Sequence, residues 1–430
     1  MKEIHQQKEG CIIMSGNLLI AQSGGPTAAI NATLSGILRV AAVTRQVKKV
    51  YGARNGIEGV LNEQLMDLQP LMKNVNVMKH LAYTPGAALG SCRYKLESGS
   101  REDSEKVIDI FRRYGITYFI YIGGNDSMDT VMKLDRYIKE NHITDIHIIG
   151  APKTIDNDLA GIDHTPGFGS AAKYIATTFA ELERDIMVYD TPAITIVEVM
   201  GRNAGWLTAA SSLARVNGGK GPDFIYLCEH PFHMESFLND LGNKLSREKS
   251  LLIAVSEGIK NEDGDYISSA ISKGAADMFG HSCIAGASKV LEESIRNEIG
   301  CKVRSIELNL MQRSAMHVAS ETDLSESEML GMKALQLALE GRSGEMASLC
   351  RREKSGYEVA YTSVPIENVA NSERKVPQIW INGQGNDVEE RLIEYMYPLI
   401  QGEINLEYHN GIPHQLILSA ESQELVERAP

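Results

Sequence analysis

Apolar positions along this chain follow two alternating rhythms. Short apolar runs of strand type occur at Asn17–Gln22, Lys49–Tyr51, Thr117–Ile122, Ile146–Gly150, Ile194–Val199, Phe224–Cys228, Leu251–Val255 and Val303–Leu308. Segments with helical spacing lie between most of them, at Ala28 to about Val43, Ser104–Tyr114, Met128–Asn141, Ser170–Val188, Ala204–Val216, Met234–Leu245 and His281–Glu298. Buried strands interleaved with helices predict an α/β fold, with parallel sheets covered by helices on both faces. Ser325–Glu340 and Val388–Ile400 read as further helices before a mixed tail, and no internal repeat or low-complexity tract interrupts the pattern.

Two loops at strand ends stand out chemically. Gly123-Gly124-Asn125-Asp126-Ser127 follows Thr117–Ile122, and Pro152-Lys153-Thr154-Ile155-Asp156-Asn157-Asp158 follows Ile146–Gly150. Each lies where the carboxyl end of a parallel strand opens into a loop, the place where α/β sheets bind ligands. Glycine lets backbone amides approach a phosphate closely, and clustered aspartates suit Mg²⁺, which takes a few carboxylates together with phosphate oxygens. A further glycine pair, Ser23-Gly24-Gly25, joins the first strand to the first helix. Glycine turns at two strand ends can face one phosphate chain. The combination predicts a phosphoryl-transfer site.

Length and charge narrow the reading. At 430 residues the chain exceeds one compact core, so two domains are expected. No apolar run approaches the roughly 20 residues of a membrane span. Met1–Gly10 is polar and lacks a signal core, and residues 1–15 read as a disordered leader, so a cytoplasmic location is expected. The six cysteines are scattered without a Cys-x-x-Cys pair, as befits reduced thiols. A formal charge of −13 argues against nucleic acid or an anionic membrane as partner. Asn261–Asp265 has a calcium-loop flavour, but Tyr266 stands where such a loop needs glycine, and a turn at Asp263-Gly264 between two strands is expected instead.

On these motifs the chain resembles the phosphofructokinase family. Ser23-Gly24-Gly25, the Gly123–Ser127 loop, Thr154-Ile155-Asp156-Asn157-Asp158, Glu198-Val199-Met200-Gly201-Arg202, Glu257 after an apolar strand and Gln312-Arg313 occur in the family's order and spacing, over roughly residues 17–340. The resemblance implies two doubly wound α/β domains with the active site in the cleft between them. Residues 16–166 with about 311–365 would bind the phosphoryl donor. Residues 167–310 with about 366–430 would bind the sugar phosphate.

The roles that the resemblance implies fall residue by residue. Asp156 matches the catalytic base, which accepts the proton of the attacking sugar hydroxyl. Thr154, Ile155 and Asp158 match neighbours that hold substrate or order the metal. Met200, Gly201 and Arg202 resemble the lining of the fructose 6-phosphate site, with Arg202 also aimed at the transferring phosphoryl group. Glu257 would accept hydrogen bonds from sugar hydroxyls. Leu310, Arg313 and Arg304 match positions at the sugar-phosphate pocket, Arg304 being donated across a subunit boundary in the family, so a homo-oligomer is implied. Gly25, Gly124 and Arg93 match donor-binding positions. Mg²⁺ is the implied cofactor, with Asn125, Asp126 and Asp158 as candidate ligands.

The donor is read from two departures. Members that use ATP carry Gly-Gly-Asp-Gly-Ser and Pro-Gly-Thr-Ile-Asp-Asn-Asp, whereas this chain has Asp126 and Lys153 at the variable positions, resembling the pyrophosphate-dependent branch. A carboxylate at position 126 would meet a nucleotide's α-phosphate with a repulsion on the order of 4 kcal/mol at an effective dielectric near 20. A lysine at position 153 offers a compact cation to pyrophosphate. Other departures are Ala193 in place of a basic family residue, Leu310 in place of histidine or tyrosine, and Ser314-Ala315 in place of a glycine pair, and they predict a wider sugar pocket. The expected activity is reversible phosphoryl transfer from pyrophosphate to the 1-hydroxyl of fructose 6-phosphate. The alternatives are an ATP-dependent phosphofructokinase, a kinase of another sugar phosphate such as sedoheptulose 7-phosphate, and a catalytically silent regulatory subunit.

Overall fold

The computed structural model describes residues 15–96, 101–270, 286–352 and 356–418. The expected leader, apart from Ser15, lies outside them, as do Cys11, Cys283 and the first residues of the helix expected from His281. Strands β1 (Gly16–Gln22), β2 (Val47–Ala53), β3 (Leu65–Asp67), β4 (Ile116–Gly123) and β5 (His147–Pro152) begin one sheet. Strands β6 (Ala193–Val199), β7 (Phe224–Tyr226), β8 (Ser250–Ser256) and β9 (Lys302–Glu307) form a second, and the chain then returns to the first with β10 (Glu345–Arg351) and β11 (Val359–Pro365). The first sheet runs β11-β10-β5-β4-β1-β2-β3 and the second β7-β8-β6-β9. The second is wholly parallel. The first is parallel except at its two edges, where β3 and β11 run antiparallel to their neighbours.

Burial explains why these runs are strands. Leu18, Leu19, Ile20 and Ala21 of β1 are all fully buried, as a strand covered on both faces requires. In the second sheet the two faces separate cleanly. Ile194 and Ile196 of β6 join Leu251, Ile253 and Val255 of β8 in one cluster, while Val197 and Val199 join Leu252 and Ala254 in the other. This is the two-residue alternation of a pleated strand.

Three strands of the two main sheets escape the sequence pattern. β3 is only three residues long. β10 and β11 fall between the helices read at Ser325–Glu340 and Val388–Ile400, where Ser348, Thr362 and Ser363 break the apolar runs. The helix expected over Ala204–Val216 is α only at Trp206–Ala209 and tightens to a 3₁₀ turn over Ala210–Arg215. There the Ser211 and Ser212 hydroxyls donate to the Thr208 and Ala209 carbonyls three residues back (2.6 and 2.7 Å). The turn at Asp263-Gly264 is present, closed by a single antiparallel bridge between Lys260 and Tyr266 rather than by two strands.

The returning chain is locked to the first domain by helix Glu321–Leu339, which lies along helix Ile30–Val43. The crossing is close because Gly36 and Gly331 face backbone: a Cβ on Gly36 would overlap the Glu328 carbonyl, and one on Gly331 would overlap the Thr33 carbonyl. Alanine is the better helix former by about 1 kcal/mol. Gly331→Ala is nevertheless expected to destabilise by about 1–3 kcal/mol, because the helices must part. A thermal or urea unfolding series checks this, and an unchanged or raised melting temperature would refute the close-contact account.

Ile366, Val369 and Ala370 still belong to the first core, and Val376 through Leu399 supplies side chains to the second. Leu416 and Leu418 pack back on the first, so the terminal segment visits both bodies. Among the described residues no helix is long and apolar enough to cross a membrane.

Candidate active site

In the first sheet β1 leads outward to β2, while β4, on its other side, leads outward to β5. The loops after β1 and β4 therefore diverge and leave a crevice at their carboxyl ends. Backbone hydrogen bonds hold the three candidate loops together there: Ser23 N donates to the Ile122 carbonyl (2.9 Å) and Lys153 N to the Gly123 carbonyl (3.0 Å).

Cations gather around Gly24-Gly25. Lys153 is 2 % exposed and its ammonium donates to the Gly25 carbonyl at 2.9 Å. A Cβ on Gly24, whose φ is +78°, would lie 3.0 Å from Lys153 Nζ, and one on Gly25 would lie 2.8 Å from Arg313 Nη2. The glycine pair thus exposes bare backbone between an ammonium and a guanidinium. Burial lowers the Lys153 pKa to about 8, with Arg313 and Arg93 pushing the same way and Asp156 and Asp158 opposing. Burial and the Arg93 charge likewise lower Arg313. Three positive groups held near one another in a desolvated crevice favour a polyanion.

Carboxylates face them. Burial raises Asp156, against the pull of Lys153, the Thr154 hydroxyl and Arg313. Burial and the Asp156 charge raise Asp158 to about 7. The loop is shaped by Asn157, fully buried and left-handed (φ 54°), whose side chain accepts from Thr165 N (3.0 Å) and donates to Tyr395 Oη (3.2 Å). Asn125 opens helix Asn125–Glu140, and its Oδ1 is buried with no hydrogen-bond partner among the described residues.

The second sheet supplies the opposite wall. Gly201 N donates to Glu257 Oε1 (3.2 Å), and Met200 N to Oε1 of the buried Gln312 (3.3 Å). Met200, Glu257, Glu198, Glu307 and Asn309 line a small cavity. Burial raises Glu257 to about 7, the Asp156 charge adds to this and Arg202 opposes it, so the two walls meet electrostatically.

Several expected residues lie elsewhere within one chain. Asp126 is 65 % exposed and paired with Lys95 at 2.9 Å. Ile155 buries its side chain in the second core, so only its backbone is available to a ligand. Leu310 is 61 % exposed. Arg304 is exposed and lines a groove with Ala193, Thr195, Lys302 and Tyr189. Ala193 pairs with Lys302 and Arg304 with Thr195, at the amino-terminal part of the sheet, whereas Glu198 and Glu307 mark its carboxyl end. At about 3.3 Å per residue, Ala193 lies some 16 Å from Glu198 along the strand, too far to line the pocket at Met200 in its own chain. Within one chain Ala193 therefore gives no basis for the widened sugar pocket, which would rest on Leu310 and Ser314-Ala315. Arg313, assigned to the sugar phosphate, lies instead against Gly25.

Two residues went unnoticed in the sequence. Glu373 raises both Asp156 and Asp158 through its charge and accepts from Asn203 Nδ2 (2.8 Å). Arg374 bolts the aspartate loop to the second domain: it donates to the Asn157 carbonyl (3.3 Å), to Tyr395 Oη (3.0 Å) and to the Asp163 carbonyl, with its guanidinium 4.6 Å from the Trp206 ring centroid. Both sit in an irregular segment, so no periodicity signalled them.

Comparisons with known proteins agree with this geometry. The phosphofructokinase family model matches residues 17–338. The pyrophosphate–fructose 6-phosphate 1-phosphotransferase of Xanthomonas campestris is 39 % identical over 409 residues, covering 94 % of this chain and 96 % of that protein. The Halomonas elongata protein of the same name is 37 % identical over 406 residues, covering 92 % and 94 %. The crystal structure of the pyrophosphate-dependent phosphofructokinase from Nitrosospira multiformis superposes with a TM-score of 0.85 at 32 % identity, covering 96 % of this chain and 97 % of that one.

Proposed function

This chain belongs to the phosphofructokinase family, and from that premise we propose that it moves a phosphoryl group reversibly between pyrophosphate and the 1-hydroxyl of fructose 6-phosphate. The observation that carries the donor assignment is Lys153, buried beneath Gly24-Gly25 with Arg313 against the same loop. A compact ammonium and a planar guanidinium can neutralise a short, highly charged donor that has no adenosine to contribute contacts. As the 1-hydroxyl oxygen attacks the terminal phosphorus, Asp156 takes its proton and the P–O bond to the leaving phosphate breaks. Lys153, Arg93 and Arg313 hold the charge that develops on the leaving group. Arg202 and Glu257 act from the sugar side. With its carboxyl near 7, Glu257 can either donate to or accept from a sugar hydroxyl at neutral pH. Because a phosphoanhydride is exchanged for an ester without a nucleotide, the reaction runs in both directions.

Magnesium fits the donor set. Asn125 offers a buried oxygen without a partner among the described residues, and Asp158 is forced up toward 7 by burial and by Asp156, an unfavourable state that a divalent cation would relieve. Asn125 and Asp158 would hold the ion, which supplies charge neutralisation to the phosphate oxygens. The outward position of Arg304 supports a homo-oligomer in which a second copy receives this guanidinium.

Initial rates with fructose 6-phosphate and pyrophosphate, ATP or no donor test the reading. Pyrophosphate is expected to be used on the order of tens of times more efficiently than ATP. A higher kcat/KM with ATP would overturn it. Asp126→Gly is expected to raise ATP use, since it removes the charge held at the rim by Lys95.

A further inference from the structure

Beyond the second core, the chain crosses back to the first domain. Ile404 and Leu406 pack on a small apolar cluster that includes Ala28, Met316 and Leu324. A hairpin follows, β12 (Tyr408–His409) and β13 (Ile412–Pro413), closed where His414 N donates to the Glu407 carbonyl at 2.7 Å. It brings Glu407 and His414 against His80, which stands in the last turn of helix Val75–Ala82. His80 Nε2 lies 2.7 Å from Glu407 Oε2. One ligand atom from each of His80, Glu407 and His414 falls within 4.8 Å of the others. His414 Nδ1 is buried with no hydrogen-bond partner among the described residues. His409 stacks on His414, ring centroids 4.2 Å apart, and its Nε2 lies 3.5 Å from Glu407 Oε1.

We propose that His80, Glu407 and His414 bind a divalent transition-metal ion with the preferences of Zn²⁺, separate from the catalytic crevice. Two imidazoles and one carboxylate form a donor set that zinc takes readily, with one tetrahedral position left for water or for His409. Mg²⁺ prefers an all-oxygen shell, so this nitrogen-rich set discriminates against it. A buried imidazole nitrogen without a partner carries a desolvation cost that coordination would remove. Two sequence-distant segments meet here, the helix that carries His80 and the hairpin that carries Glu407 and His414, an arrangement a metal stabilises well.

The position gives the site a consequence. Just beyond His80, Thr84 Oγ1 accepts from Leu416 N (2.8 Å), and the Thr84 carbonyl accepts from Asn31 Nδ2 (2.8 Å). The loop that starts at Thr84 goes on to Ser91, whose hydroxyl donates to the Gly24 carbonyl (2.5 Å), and to Arg93. A bound ion would clasp the terminal hairpin onto the helix that feeds the donor loop.

Titration calorimetry of the full chain with zinc chloride, in buffer holding excess Mg²⁺, tests the proposal. One zinc per chain is expected, together with a rise in melting temperature. His414→Ala and His80→Ala should each weaken binding by at least about tenfold, as losing even an outer-shell partner does at known metal sites. Glu407→Gln, nearly isosteric, gives the same reading should a histidine variant fold poorly. Pyrophosphate-dependent turnover in Mg²⁺ alone should survive these substitutions, showing that the catalytic crevice is intact. Absence of stoichiometric zinc binding, or binding undiminished in both His414→Ala and Glu407→Gln, would overturn it.

Discussion

Asp156→Ser is expected to lower kcat by about 10²–10⁴, the usual reach of a general base, with a smaller change in KM for either substrate. The expectation rests on where the carboxylate sits. Asp156 N donates to Thr154 Oγ1 (3.1 Å), and the Thr154 hydroxyl points back at Asp156 Oδ2 (3.4 Å), so the side chain is oriented from its own loop. Burial favours its neutral form and Lys153 favours its charged form, which places the group between two opposing forces. A base in that balance can take a proton from an alcohol while the developing charge moves to phosphate. Serine keeps the turn and removes the base. Steady-state kinetics on a variant with unchanged circular dichroism and melting temperature decide the matter. Near-normal turnover would move the role to Asp158 or Glu257, the other carboxyls that burial has raised toward neutrality.

Lys153→Met should cut kcat/KM for pyrophosphate by about thirtyfold to several thousandfold. Truncating one partner of a buried charged hydrogen-bonded pair costs roughly 2–5 kcal/mol, and each 1.4 kcal/mol is tenfold. Methionine fills much of the same volume, so the loss would report charge and not a cavity. The same lysine predicts a pH signature. Its pKa in the folded protein is lowered to about 8 by burial, so the ammonium that pyrophosphate needs is present below pH 8 and is lost above it. Plotted against pH, kcat/KM for pyrophosphate should fall above about 8, and that break should vanish in Lys153→Met. The stability sign runs the other way. Between pH 8 and 10.5 the unfolded chain holds a proton that the folded one has released, so this group's contribution to stability rises with pH through that window. Lys153 is therefore a residue whose burial opposes folding at neutral pH. A pH profile flat through 8 in the wild type, or an unchanged one in the variant, would remove lysine from the donor site.

The two glycine loops and the aspartate loop were legible because their chemistry is local. A glycine pair at a strand end, or three polar side chains in one short turn, announces itself whatever the rest of the chain does. The strand and helix runs were legible for a similar reason, since burial on both faces demands continuous apolar residues such as Leu18–Ala21. Resemblance then supplied the roles, and it carried Arg313 and Leu310 into one pocket because they stand three residues apart in the chain. In the structure Arg313 lies against Gly25, and Leu310 is exposed on the same 3₁₀ turn.

What local patterning could not settle was decided by long-range packing. β10 and β11 are strands because they extend an existing sheet edge beyond β5, not because their own residues insist on it. Glu373 and Arg374 reach the aspartate loop through a bridge between Leu159 and Glu373, a contact made by residues more than two hundred positions apart. Ala193 and Arg304 are neighbours of the pocket in sequence and distant from it in space, because an extended strand carries its two ends far apart. His80 and His414 meet only after the chain has crossed both domains. Short-range chemistry wrote the loops and the elements into the chain. Which side chains share a site follows from which strands pair and which helices touch, and those energies are summed over the whole molecule.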